Sequence, residues 1–173
     1  MSDDDLLVPV EPPRRLTPSA ERFVVFTAGG QLFAFSAARL LELGEVPAWT
    51  PLPRVPAWIL GLANLRGDIV AVVDLGPLWR RPAADPAQLT RLLLVGSPGG
   101  QPVAGLVAER VWGVVPVAAA VLLPPLDGAV PEAVAAFDHP RGVVSVLDLD
   151  RLLPALTVGR SPAGTPSGVP SVF

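Results

Sequence analysis

The stretch GLANLRGDIVAVVDL, residues 61–75, decides the fold of this chain. Two apolar runs, 59–65 and 69–75, flank the short polar segment Arg66-Gly67-Asp68. Apolar runs of this length on either side of a glycine-containing turn are typical of two paired strands. The stretch therefore predicts a β-hairpin with Arg66 and Gly67 at its tip.

Part of this hairpin is repeated later in the chain. The segment IVAVVDLGPL (69–78) resembles VVSVLDLDRL (143–152), which starts 74 positions later, and an Arg-Gly pair precedes each copy. The turn Gly29-Gly30-Gln31 similarly resembles Gly99-Gly100-Gln101, 70 positions later. Strand–turn–strand patterns can resemble each other by chance. Two ordered matches at nearly one offset favour an internal duplication instead.

The other apolar runs extend this all-β pattern. Strands are predicted at 22–28, 31–35, 92–95, 103–107, 111–117 and 143–147. A short helix is predicted at 148–156, capped by Asp148 or Asp150, and a shorter helical turn at 75–79. One face of the longer helix is made of four leucines: Leu149, Leu152, Leu153 and Leu156. Since each half is too small to bury much surface alone, we expect two small barrels to pack together, with a groove between them and free strand edges.

The boundaries of these units follow from composition. Residues 1–20 and 157–173 are predicted to be flexible tails, because both lack apolar periodicity and are rich in proline and small or polar residues. The folded domain is predicted at 21–156, with a first barrel at about 21–80, a second at about 90–148 and the terminal helix at about 148–156. The acidic start, Asp3-Asp4-Asp5, does not fit a signal peptide, and no apolar run is long enough to span a membrane. We therefore expect a cytoplasmic protein.

Charge and chemistry-bearing residues argue against several classes of function. The net charge is −3 and the 13 basic residues are scattered, which argues against nucleic-acid binding. The chain has no cysteine and one histidine, His139, which lacks further metal ligands nearby; Ser36 and Ser145 lack a nearby histidine base. We therefore predict no catalytic residue, no metal site and no cofactor. A barrel that binds a small ligand is an alternative, but it would need a polar-lined cavity.

Residues 61–75, together with segments that precede and follow them, resemble the CheW-like family. The supporting segments are 23–26, 40–43, 52–61, 105–111 and 146–153, so the resemblance covers about 21–156. It implies an all-β fold of two SH3-like five-stranded barrels packed together, with a short C-terminal helix and no catalysis. It also implies a cytoplasmic adaptor, at membrane-associated receptor arrays, that couples chemoreceptor tips to the regulatory domain of a histidine kinase. A CheW-like scaffold in a signalling or motility pathway other than chemotaxis stays open.

The resemblance also suggests which residues contact partners. We predict receptor-binding residues at Asn64, Arg66, Val111 and Val114, and kinase-binding residues at Leu40 and Glu42. From the residues alone, Arg66 could equally bond a partner or its own turn, through Asp68 or Asp74. Asn64 is suited to bonding local backbone.

The four tryptophans, at positions 49, 58, 79 and 112, are also candidate interface anchors. A tryptophan in a small β domain is more often part of the core, with its N–H hydrogen-bonded. We expect most of the four to lie in the core and Trp112 to be the most exposed.

Overall fold

The computed structural model describes residues 20–157. Ten strands form within this range: β1 Ala20–Ala28, β2 Gln31–Ser36, β3 Leu40–Glu45, β4 Ile59–Leu65, β5 Asp68–Asp74, β6 Arg91–Gly96, β7 Pro102–Ala108, β8 Arg110–Ala118, β9 Ala133–His139 and β10 Gly142–Leu147. Helix α1 (Leu75–Leu78) follows β5, and helix α2 (Leu149–Thr157) follows β10. The predicted tails lie outside the described residues, apart from Ala20 and Thr157 at their inner ends.

The strands form two five-stranded sheets, which confirms the predicted all-β class. Sheet A has the order β8-β1-β2-β10-β9, and sheet B has the order β3-β6-β7-β5-β4. The predicted division into a barrel at 21–80 and another at 90–148 is wrong, because neither sheet is continuous in sequence. Sheet A combines the first hairpin with the last three strands, whereas sheet B is built from the five strands between them.

The internal duplication explains this arrangement. Strands β1 to β5 correspond in order to β6 to β10, and corresponding strands hold matching places in the two sheets. The first two strands of each half pair with the last three of the other half, so the halves exchange their opening hairpins. The parallel pairs β10–β2 and β5–β7 are the joints of this exchange.

The repeated aspartates have the same role in both halves. The Oδ1 atom of Asp74 accepts a hydrogen bond from the N–H of Gly76 at 2.9 Å and begins α1. The Oδ1 atom of Asp148 accepts one from the N–H of Asp150 at 2.8 Å at the start of α2. A side-chain oxygen just before a helix satisfies a backbone N–H that has no partner within the helix. The predicted cap is therefore confirmed for Asp148.

Three apolar clusters hold the sheets together. The interior of sheet A contains Phe23, Val25 and Phe137, and the interior of sheet B contains Val72, Leu92 and Val107. A larger cluster, which we call the seam core, fills the space between the sheets. Its members come from both sheets and both helices and include Val24, Phe26, Phe35, Val73, Leu93, Leu106, Leu75 and Leu152. Since successive side chains of a strand point to opposite faces, the central strands bury both faces and read as continuous apolar runs.

Gly61, the first residue of the quoted stretch, allows the backbone of β4 to approach a neighbouring segment. Its φ is 156°, and a Cβ atom there would overlap the carbonyl oxygen of Thr50. That carbonyl accepts the N–H of Leu62 at 2.9 Å, and the N–H of Thr50 donates to the carbonyl of Leu62 at 2.8 Å. Leu123 and Ala136 form the corresponding bridge on β9.

Candidate protein-interaction surfaces

The hairpin tip between β4 and β5 presents Arg66 to solvent. Arg66 has a φ of 54°, a left-handed conformation that a residue with a side chain rarely adopts. The Oδ1 atom of Asn64 accepts a hydrogen bond from the N–H of Gly67 at 2.9 Å and fixes the turn. Asn64 thus bonds local backbone, as its residue type suggested. The Arg66 side chain keeps 81% of its surface exposed.

The exposed guanidinium of Arg66 is paired with β3. Its Nη2 atom donates to Oε1 of Glu42 at 3.0 Å, an ion pair that joins a predicted receptor-binding residue to a predicted kinase-binding one. The bonds considered from the sequence, to Asp68 or Asp74, do not form among the described residues. Asp74 is instead buried, and its Oδ2 atom also accepts the N–H of Ala84 at 3.1 Å.

A groove where sheet A meets the start of β3 brings together two other predicted residues. Leu40 of β3 and Val114 of β8 line it, with Glu21, Arg22, Ser36, Ala37 and Ala38, around a volume of about 460 Å³. We call this the seam groove. Val114 is 41% exposed there, whereas Val111 is half-buried against the seam core. The two valines predicted for one surface therefore face different environments.

The connection between β2 and β3, which forms one wall of the seam groove, is held by Arg39. Its Nε atom donates to the carbonyl of Gly96 at 2.8 Å, and its Nη1 atom donates to Oδ1 of Asp150 at 2.8 Å. Only 14% of the Arg39 side chain is exposed. One side chain thus ties this connection, next to Leu40, to both β6 and α2.

Strand β3 offers a second surface, which we call the β3 edge: Leu41, Glu42 and Leu43. Within residues 20–157, β3 is bonded to β6 alone and its other edge has no strand partner. Leu41 and Leu43 are both exposed and flank Glu42. An unpaired strand edge with exposed apolar side chains is suited to pairing with another protein. The pattern analysis did not single out these two leucines, although their alternation with charged or small residues is a strand-edge signal.

Each of the four tryptophans packs against one of the three apolar clusters. All four are half-buried, so none lies fully in the core and Trp112 is not set apart from the other three by its exposure. Its N–H donates to Oγ1 of Thr27 at 2.9 Å, and the N–H of Trp79 donates to Oε2 of Glu132 at 2.8 Å. Trp58 and Trp79 pack against the seam core, Trp49 against the interior of sheet B, and Trp112 against that of sheet A.

Within residues 20–157, the side chains that could bind a metal ion do not lie together. His139 accepts the N–H of Arg141 through Nδ1 at 3.3 Å, within the β9–β10 turn. Across residues 20–157, no group of three or more His, Asp or Glu side chains is arranged to hold a metal ion. Neither helix between residues 20 and 157 has the length and hydropathy that a membrane-spanning helix requires. Apart from Val111, the predicted partner-binding residues instead lie at a groove, on a strand edge and at a charged hairpin tip.

Comparison with known proteins identifies the family. The CheW-like domain matches residues 22–157, so the chain belongs to the CheW-like family of chemotaxis coupling and scaffold proteins. It is similar to the protein FrzA of Myxococcus xanthus, with 36% identity over 138 residues, 77% of this chain and 81% of that one. It is also similar to the chemotaxis protein CheW of Rhizobium meliloti, with 31% identity over 99 residues, 57% of this chain and 62% of that one.

A solved structure supports the fold. The scaffolding protein TtCheW of Thermoanaerobacter tengcongensis superposes with a TM-score of 0.65 at 22% identity, covering 75% of this chain and 89% of that one. This likeness confirms the two-subdomain β fold.

Proposed function

We propose that this chain is a non-catalytic adaptor that holds a chemoreceptor tip and the regulatory domain of a chemotaxis histidine kinase at the same time. Membership of the CheW-like family supports the role of scaffold. The observation that carries the bridging role is the presence of two surfaces of different kinds, the seam groove and the β3 edge, on one chain. A scaffold raises the effective concentration of one partner near the other without new chemistry.

The seam groove suits the receptor. Chemoreceptor tips are helical, and an apolar groove accepts one face of a helix. Leu40 and Val114 both line the groove and supply apolar contacts, and Glu21 and Arg22 add one charge of each sign. We assign Leu40 to this surface, because it lines the same groove as Val114.

The β3 edge suits the kinase. A regulatory domain built from β-barrels can pair its own edge strand with β3, while Leu41 and Leu43 fill apolar contacts beside the new pair. The Arg66–Glu42 ion pair lies on this strand and can exchange one of its bonds for a bond to the partner. We therefore assign Arg66 and Glu42 together to the kinase surface.

Titration of the chain with each partner alone tests whether it binds both of them. The seam groove and the β3 edge are expected to bind a receptor-tip fragment and a kinase regulatory domain in independent, one-to-one isotherms. If the chain binds neither the receptor-tip fragment nor the kinase regulatory domain, the proposal is overturned.

The alternative is the same scaffold in a pathway other than chemotaxis. Two relatives carry names other than CheW: FrzA, and the protein PilI of Pseudomonas aeruginosa, which is 33% identical over 91 residues, 51% of this chain and 48% of that one. Co-purification from cells in which the chain is tagged separates the two cases, because the receptor and kinase recovered with it define the pathway.

A further inference from the structure

Two arginines and one tryptophan form a cluster where β8 begins: Arg110, Trp112 and Arg141. The guanidinium carbon of Arg141 lies 3.7 Å from the centre of the Trp112 ring, and that of Arg110 lies 5.0 Å from it. Both arginines are exposed, and neither forms an ion pair within residues 20–157. Two positive charges thus share one ring, and within residues 20–157 neither has a carboxylate at ion-pair distance.

The internal duplication shows what this cluster lacks. Arg66 and Arg141 are counterparts, because each belongs to the Arg-Gly pair before a copy of the repeated segment. Each lies in a hairpin turn and contacts an outer strand of its own sheet. Arg66 meets a carboxylate there, that of Glu42, whereas Arg141 meets the ring of Trp112. Stacking on a ring fixes the plane of a guanidinium and leaves its in-plane N–H groups available for a carboxylate.

We propose that the acidic segment Asp3-Asp4-Asp5 of this chain docks on the Arg110–Trp112–Arg141 cluster. This segment is the one run of three consecutive acidic residues in the sequence, so its charge complements the two arginines. The docked segment supplies the carboxylate that Glu42 supplies in the first repeat. Tethering within one chain gives an effective concentration of about 1 mM, at which weak, charge-assisted contacts are populated.

The length of the connecting chain allows this contact. Ala20 pairs with Ala118 at one end of the β1–β8 ladder, and Thr27 pairs with Arg110 at the other. At about 3.3 Å per residue, the cluster lies roughly 25 Å from the start of β1. Residues 6–19 connect Asp5 to Ala20, and an extended chain of that length spans up to about 50 Å.

The test uses the indole N–H resonances of the full-length chain, recorded by ¹H–¹⁵N correlation. The variant Asp3→Asn/Asp4→Asn/Asp5→Asn is expected to move the Trp112 cross-peak, identified by its loss in Trp112→Phe, and to leave the other three indole cross-peaks in place. Salt at ~0.5 M should produce the same displacement in the wild type, because it screens exposed charges. Adding a peptide of residues 1–12 to the triple variant should return the peak toward its wild-type position.

Two controls make the result specific. The variant Glu45→Gln/Asp68→Asn/Asp85→Asn removes the same total charge from other exposed positions and should leave the Trp112 peak unmoved. The variant Arg110→Gln/Arg141→Gln should weaken binding of the 1–12 peptide about fivefold or more, since it removes the charge-assisted bonds. A Trp112 peak that is identical in the wild type and the Asp3–Asp5 variant overturns the proposal. So does a peptide response that survives loss of both arginines.

Discussion

The Arg66 guanidinium donates to the Glu42 carboxylate at 3.0 Å and so connects the β4–β5 turn to β3. These two elements stand at opposite ends of the strand order of sheet B. An ion pair between them means that the sheet curls on itself into a barrel. The pair also marks where an exposed charge and an unpaired strand edge coincide, which makes it the most informative place to probe partner binding.

Reversing the charge of Arg66 should weaken kinase binding more than it affects folding. Arg66→Glu sets a second carboxylate beside Glu42, so we expect binding of the kinase regulatory domain to fall about tenfold. Because exposed ion pairs contribute only about 0–1 kcal/mol, the free energy of unfolding should change by no more than that. Calorimetric titration and urea denaturation measure the two effects.

The charge-swapped variant is the control for this prediction. Glu42→Arg/Arg66→Glu restores an attractive pair in the opposite direction and should recover stability but not full kinase affinity. Unchanged kinase binding by Arg66→Glu would remove this residue from the interface.

A charge introduced into the seam groove should weaken binding of the receptor and leave binding of the kinase unchanged. Val114→Arg introduces a long cation among apolar contacts. Because burying an unpaired charge there costs ~2 kcal/mol or more, we expect binding of a receptor-tip fragment to fall at least about tenfold. Val143→Arg is the matched control: Val143 is 42% exposed on β10, Val114 is 41% exposed on β8, and Val143 does not line the seam groove. Equal losses in both variants would point to a non-specific charge effect and contradict the assignment of the groove.

The two helix-capping aspartates should differ in their contribution to stability. Asp74 is 2% exposed and accepts two backbone N–H groups, so Asp74→Ala leaves both without a partner and should lower the free energy of unfolding by about 2–4 kcal/mol. Asp148, whose side chain is 34% exposed, should cost about 1 kcal/mol when changed to alanine, as an ordinary helix cap does. Denaturation curves of the two variants give the comparison, and a larger loss for Asp148→Ala would contradict it.

Separated halves of the chain should fold only together. A cut between Ala84 and Asp85 leaves Asp74 with its partner Ala84, and Asp85 with its partner Ala87. Each half then lacks the strands that complete both of its sheets. The fragments 1–84 and 85–173 should therefore be largely unfolded alone and regain β-sheet circular dichroism when mixed in equal amounts. Two fragments that fold independently would show that the exchange of hairpins is incorrect.

Local signals in the sequence accounted for most strands. The turns at Gly29-Gly30 and Arg66-Gly67, with apolar runs on both sides, gave the positions of β1, β2, β4 and β5 within two residues. Strand β3 was not predicted by the pattern analysis, and neither was β9. The alanine-rich start of β9, Ala133 to Ala136, has little β propensity, and pairing with β10 and burial of Phe137 determine its conformation.

The exchange of hairpins between the halves and the Arg66–Glu42 ion pair could not be predicted from the sequence and are visible only in the folded chain. A duplication predicts two similar units but does not say which opening hairpin joins which sheet, because that choice depends on packing between distant strands. Likewise Asp68 and Asp74 are nearer to Arg66 in sequence than Glu42 is. Asp74 is committed to capping α1, and closure of the barrel brings Glu42 alongside the turn.

Co-purification of all three components tests the bridging role most directly. The tagged chain, mixed with a receptor-tip fragment and a kinase regulatory domain, should retain both in one complex on size exclusion. Val114→Arg should retain the kinase domain alone, and Arg66→Glu the receptor fragment alone. Displacement of one partner by the other would mean that they share a single surface and would contradict the account.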